Sequence, residues 1–179
     1  MNAAFRADWV RLWHLVQRVE AATGDGFVDI GLRLVDPAEP PQDGGYRTSP
    51  ANAIMFAGTG GDGVHFSVLT PAAGSPAAAP VVMTAPMAFD SPNHIVAGDL
   101  MEFLALGCQT AYYNLDHLAY PWGRSAMMAR LQTARLAPGT DGAHLLQPLI
   151  DEFDLRPWPD VERRLDELDA AYRGDIQLR

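Results

Sequence analysis

Lysine is absent. All 13 basic residues of this 179-residue chain are arginine, set against 22 acidic ones, for a formal net charge of −9. That balance excludes DNA or RNA as the main ligand, because neutralising phosphates takes the opposite sign and no basic run compensates locally. Folding does not demand arginine-only usage, and a GC-rich bacterial genome is the expectation it raises. A single cysteine, Cys108, excludes an internal disulfide and a zinc knuckle, and points to a reducing, cytoplasmic setting. Met1 to Leu15 contains Asp8 and lacks a basic stretch followed by an apolar run, so export by a secretory signal is not expected. The one long stretch without Asp, Glu or Arg, Gly63 to Phe89, is broken by Pro71, Pro76, Pro80 and Pro86, which argues against a membrane span. No repeat of fixed period is present, which excludes solenoids and propellers.

What is there suits one α+β domain. A hydrophobic share of 48% with 20% charged residues is enough to build a core. Phe5, Trp9, Leu12, Trp13, Val16 and Val19 recur at helical spacing up to Gly24. Val28, Ile30, Leu32 and Leu34 alternate with Asp29, Gly31 and Arg33, the period of a strand with one wet face. Residues 36 to 52 carry Pro37, Pro40, Pro41, Gly44, Gly45 and Pro50 and form a long loop. Strands are expected at Ile54–Phe56, Val64–Leu69 and Val81–Ala85, with a short one at Ile95–Val96 and a Pro/Ala/Gly connector from Pro71 to Pro80. Asp99 with Glu102 three residues on reads as a capping box opening a helix whose buried stripe is Leu100, Phe103, Leu104, Cys108, Ala111, Leu115 and Leu118. Beyond Pro121 the pattern is helical: one helix through Met127, Met128, Leu131 and Leu136, one across Leu145–Phe153 at Pro148, and a last one with Val161, Leu165, Leu168 and Tyr172 on one face. The expectation is a mixed, mainly antiparallel central sheet flanked by helices, with sheet-containing residues 1–120 and a helical extension over 121–179.

Chemistry is sparse. Gly58, Gly60, Gly61 and Gly63 surround Asp62 after a strand, so the backbone there needs positive φ angles or a close approach. Gly60-Gly61-Asp62-Gly63 is similar to the Gly-Gly-Asp-Gly of lipid and NAD kinases, a phosphate cradle, yet those continue with Thr into a helix while Val64-His65-Phe66-Ser67-Val68 alternates like a strand. A hairpin turn follows from that, with Thr59, Gly60, Gly61, Asp62, Gly63 and His65 as the candidate binding residues. The five histidines lack HxxxH or HExxH spacing, so no metal and no cofactor is expected. The alternative is a small-molecule- or metal-dependent enzyme in which Asp62, His65 and His94 converge across paired strands. His65 sits on the polar side of its strand and is expected to be solvated or hydrogen-bonded, and His14 to pack beside Trp13. No GxSxG marks a nucleophile, and Cys108 falls on an apolar stripe where a thiol is inert. Asp151, Glu152 and Asp154 read as a helix end in water. Tyr112, Tyr113, Tyr120 and Trp122 either cover the core edge or form an interface, with a protein partner or with another copy in a homo-oligomer.

Ala53–Leu69, Pro80-Val81-Val82 and Ile95-Val96-Ala97-Gly98-Asp99-Leu100-Met101-Glu102-Phe103-Leu104 together resemble the SUKH superfamily. The shared order is a short strand entering a glycine- and Asp-rich turn, a second strand, a Pro-Val strand, and a helix start. The likeness covers residues 53 to 104; the Leu-Pro-x-x-aromatic segment usual after the first helix is missing, and the helices past Pro121 exceed the usual domain. What this resemblance implies is an α+β domain and a non-enzymatic intracellular protein-binding module. Many bacterial members are immunity proteins that neutralise a toxin encoded beside them, and the acidity of this chain suits a basic toxin.

Overall fold

The computed structural model describes residues 1–41, 45–70, 79–133, 135–136 and 142–178. Most of the expected connector, 71–78, and part of the early loop, 42–44, lie outside the described residues.

Helix α1 spans Ala3–Thr23, with the Asn2 side chain accepting from the Phe5 amide at its start and Gly24, at φ +80°, ending it in the left-handed region. A single 3-10 turn over Phe27–Ile30 follows, where an alternating strand was expected, and only Arg33–Leu34 form strand β1. The alternation arises differently: Phe27 and Ile30 point inward from a tight turn closed by Gly31 at φ +74°, and Val28 faces solvent.

Strands β2 (Ala53–Gly58), β3 (His65–Leu69), β4 (Val81–Thr84) and β5 (Asn93–Ala97) complete a five-stranded antiparallel sheet in chain order. A bulge shifts the register of β2 against β3 between Met55 and Ala57, and another shifts β4 against β5 between Val81 and Val82. One face meets α1 and helix α2 (Leu100–Gly107) through a run of aromatic contacts, edge-on for Phe5–Phe56 at 5.3 Å, Trp9–Phe56 at 6.1 Å and Phe56–Phe103 at 5.3 Å, and tilted for Phe66–Phe103 at 4.7 Å. Every side chain of β3 is buried, because the other face is covered as well. There Ala53, Leu69, Val82 and Ile95 pack with Leu168, Trp158, Tyr172 and Ile176.

Asp99 caps α2 by accepting from the Glu102 amide at 2.8 Å, and the Glu102 carboxylate accepts from the Gly98 N–H at 2.7 Å, one residue earlier than a strict capping box. The helix then stops well short of Pro121. Ala111 sits at φ +67° and a 3-10 segment, Tyr112–Ala119, carries the chain onward, keeping Leu115 and Leu118 buried. Helices α3 (Pro121–Thr133), α4 (Ala143–Phe153, with Pro148 inside) and α5 (Val161–Tyr172) feed Met127, Met128, Leu131, Leu145, Leu146, Leu149, Val161 and Leu165 into the main core. Arg11 of α1 donates to the Glu152 carboxylate at 2.7 Å, so this acid ties α4 to α1 and is not merely a solvated helix end. Helix α5, capped by the Asp160 side chain, packs along β5 and reaches the second face of the sheet through Leu168 and Tyr172. Arg163 pairs with Glu167 and Arg173 with Asp169, each four residues apart, whereas Arg164 reaches across to Glu102 at 2.9 Å. No helix among the described residues is long and apolar enough to cross a membrane.

Candidate functional site

In an antiparallel meander the β2–β3 turn and the β4–β5 connection emerge at the same end, and the register His65↔Thr84 places them side by side. The turn is a tight hairpin. Gly60, Asp62 and Gly63 adopt φ of +85°, +49° and +71°, the Thr59 amide donates to Val64 O at 3.0 Å, and the Val64 amide donates to Gly61 O at 3.2 Å. The Thr59 hydroxyl donates to Gly61 O at 2.9 Å and accepts from the Gly61 amide at 3.3 Å. The Gly61 and Val64 amides are thus bonded inside the turn, and a strand, not a helix, leaves it, which removes the phosphate-cradle geometry. Gly60, Gly61 and Asp62 are exposed, and Thr59 and Gly63 half-buried.

His65 departs from expectation in its surroundings: it is hydrogen-bonded, but buried. Its Nδ1 lies 2.8 Å from Gly63 O, and a carbonyl can only accept, so Nδ1 carries the proton. In the neutral imidazole Nε2 is then an acceptor, and the Ser49 hydroxyl, 3.0 Å away, donates to it. Tyr46 stacks on the imidazole with ring centroids 5.8 Å apart. The Asn93 amide adds a bond to Thr48 O at 2.9 Å, so segment 45–49 is strapped across the second face of the sheet. Sequence reasoning missed Ser49, which sits in a proline-rich loop with no motif around it. A serine, a histidine and a carbonyl in line form the skeleton of a nucleophilic site. Here His65 and Tyr46 line a concavity of about 510 Å³ with Asp62 and Arg33, but Ser49 does not border it and is 2% exposed. The hydroxyl therefore serves as a fastening.

His94 lines a different groove, about 490 Å³, with Tyr120, Arg124 and Arg173. Its Nε2 lies 2.8 Å from Ser91 O, and burial, reinforced by the charges of Arg173 and Arg124, lowers its pKa against the raising effect of that hydrogen bond. His94 is in register with Met83 and His65 with Thr84, so the two imidazoles leave adjacent registers toward opposite faces. The expected convergence of Asp62, His65 and His94 does not occur. Among the described residues no group of three or more His, Cys, Asp or Glu is placed to hold a metal ion. His14 is exposed rather than packed. Cys108 is buried, and desolvation pushes its thiol up to about 12.

The aromatic set divides. Tyr112 is core: it is fully buried, donates to Leu104 O at 3.0 Å and packs on Phe103 at 5.2 Å, so of its two expected roles it takes the core one and is no interface residue. Tyr113 and Trp122 are exposed, at 47% and 73%, and half-buried Tyr120 stacks on Trp122 at 5.4 Å. Sequence patterning gave no hint of Met87 and Phe89, exposed at 57% and 78% in the β4–β5 connection.

These residues share one end of the molecule. Val28 stands directly over Gly60, where an added Cβ would come within 2.7 Å of it, and Tyr46 lies against Gly63. The backbone of Tyr113 abuts Gly31. Asp62 acts electrostatically on both Asp116 and Tyr120, and Tyr120 shares the second groove with Ser91 from the β4–β5 connection. Burial raises the Asp116 carboxyl pKa, and Asp62 adds to that, while neighbouring His117 opposes it; burial with Asp116 and Asp62 raises the Tyr120 phenol. Val28, Tyr46, Met87, Phe89, Tyr113 and Trp122 make up all but one of the large apolar side chains exposed among the described residues; Leu178 is the exception.

Compared with known proteins, the chain matches no family model, no curated protein and no solved structure.

Proposed function

We propose that this chain is a non-enzymatic, intracellular protein-binding module of SUKH type, acting as an immunity protein that neutralises a toxin by covering it. One observation carries this reading: the exposed large apolar side chains, Leu178 excepted, are gathered at one end of the sheet on turns, short segments and the first turn of α3, and the rest of the described helical surface exposes none. Scattered apolar residues are ordinary on any surface; a set concentrated on one end and mounted on a rigid sheet is the pattern of a recognition surface. The α+β fold with its glycine-rich hairpin is compatible with the family resemblance over residues 53 to 104, and a cytoplasmic site of action fits the lone buried thiol. The reading is tested by retention of the product of the adjacent gene on the immobilised chain, together with relief of that product's toxicity on co-expression. Retention and relief, both lost in a Phe89→Ala/Trp122→Ala variant, are expected; a chain that retains nothing and relieves nothing overturns it.

A further inference from the structure

Resting on that reading, we infer that the sheet end docks a basic face of a folded partner, and not a second copy of this chain. The surface is bounded by residues 28–31, 59–63, 87–90 and 113–122. Phe89 and Trp122, the most exposed aromatics, are its anchors.

Charge and symmetry select the partner. Asp29, Asp62 and Asp90 are exposed among the apolar side chains and Asp116 is half-buried beside them, against Arg33 and Arg47 on the same end. Arg124, at the margin, already leans on Leu118 O at 3.3 Å and on Asp166 at 4.0 Å. His117 lies 3.2 Å from Asp116 and is otherwise bonded to Asn114 O. The end is therefore net acidic within a chain of charge −9. A two-fold dimer through this patch would set the four aspartates of one copy against those of the other, and like charges facing across an interface are costly. A partner with arginine or lysine between its own apolar residues meets the opposite situation. Its cations find carboxylates at Asp62 and Asp116 and the ring faces of Tyr120 and Trp122, where cation–π attraction adds to the ion pairs.

The test uses two synthetic peptides as probes, acetyl-(Arg-Leu-Gly)4-amide and its glutamate counterpart acetyl-(Glu-Leu-Gly)4-amide, titrated into the isotopically labelled chain while backbone amide and indole NMR signals are followed. The expected result is shifts from the arginine peptide confined to the four segments and to the Trp122 indole, and none from the glutamate peptide. Replacing Asp62→Asn and Asp116→Asn should weaken the arginine peptide by about two- to fivefold per carboxylate. Shifts centred on α5 or spread over the whole surface overturn the inference. So do equal responses to both peptides, no response at all, or light scattering that shows a dimer disrupted by Trp122→Ala. If the adjacent gene product is retained while the peptide shifts fall elsewhere, the binding-module reading stands and this docking surface does not.

Discussion

Replacing Ser49 by alanine isolates the fastening of segment 45–49 to the sheet. The substitution removes the donor that sits 3.0 Å from His65 Nε2 in a site where both residues are about 98% or more buried, and it changes little else in volume. Losing a hydrogen bond between two buried side chains costs about 1–3 kcal/mol. For a domain of this length each kcal/mol moves the melting temperature by about 2–4 °C, so a fall of about 2–12 °C is expected. The assay is thermal and urea unfolding of the wild type, Ser49→Ala, His65→Gln and the double variant. The two single changes should be coupled by about 0.5–3 kcal/mol, because each removes one end of the same bond. A melting temperature unchanged within 1 °C, or strictly additive effects, would refute the claim that the hydroxyl holds the segment.

Other outcomes follow from the same geometry. Cys108 stays protonated in the folded chain to about pH 12, while in the unfolded chain it ionises near 9.0, so folded protein binds more protons than unfolded between those values and stability falls as pH rises through that window. The slope for this group is about 1.4 kcal/mol per pH unit, and Cys108→Ala should flatten the alkaline limb of a urea-midpoint profile; an identical limb would contradict the burial argument. Gly31→Ala combines a left-handed φ with a collision against the Tyr113 backbone and should cost more than about 2 kcal/mol, whereas Gly174→Ala, which has open space around it, should be neutral by the same unfolding measurement. Arg164→Met breaks a partly exposed pair with Glu102 and should cost less than about 1 kcal/mol, shrinking further in high salt; a larger, salt-independent loss would show that the pair is not the relevant contact.

The helices were legible where periodicity and caps agreed. Asn2 and Gly24 bracket α1, and Asp99 with Glu102 marks the start of α2 much as spacing alone suggests. The glycine cluster announced its hairpin because positive φ is costly for other residues, and Asp62 takes the left-handed position that an aspartate tolerates. Two failures have separate causes. Val28–Leu34 alternates without being a full strand because Phe27 and Ile30 turn inward from a 3-10 turn closed by Gly31. His65 lies on a face that looked wet because what lies above a residue is set by distant chain: α5 and segment 45–49 cover that second face. The continuous helix expected to Pro121 breaks at Ala111, whose positive φ no side chain advertises. Phe89 and Met87 were invisible as site residues because a short apolar pair between prolines reads as a connector until its exposure is known.

The central claim is that the apolar, acidic end of the sheet is the working surface. Isothermal titration of the adjacent gene product, in catalytically inactive form, against the wild type and the Phe89→Ala/Trp122→Ala variant addresses it most directly. Both side chains are mostly exposed and Trp122 loses only its surface contact with Tyr120, so the variant should fold with a melting temperature within about 2 °C of the wild type and bind about a hundredfold or more weakly, as the loss of two aromatic anchors implies. Affinity within threefold of the wild type, in a variant of unchanged stability, would contradict it.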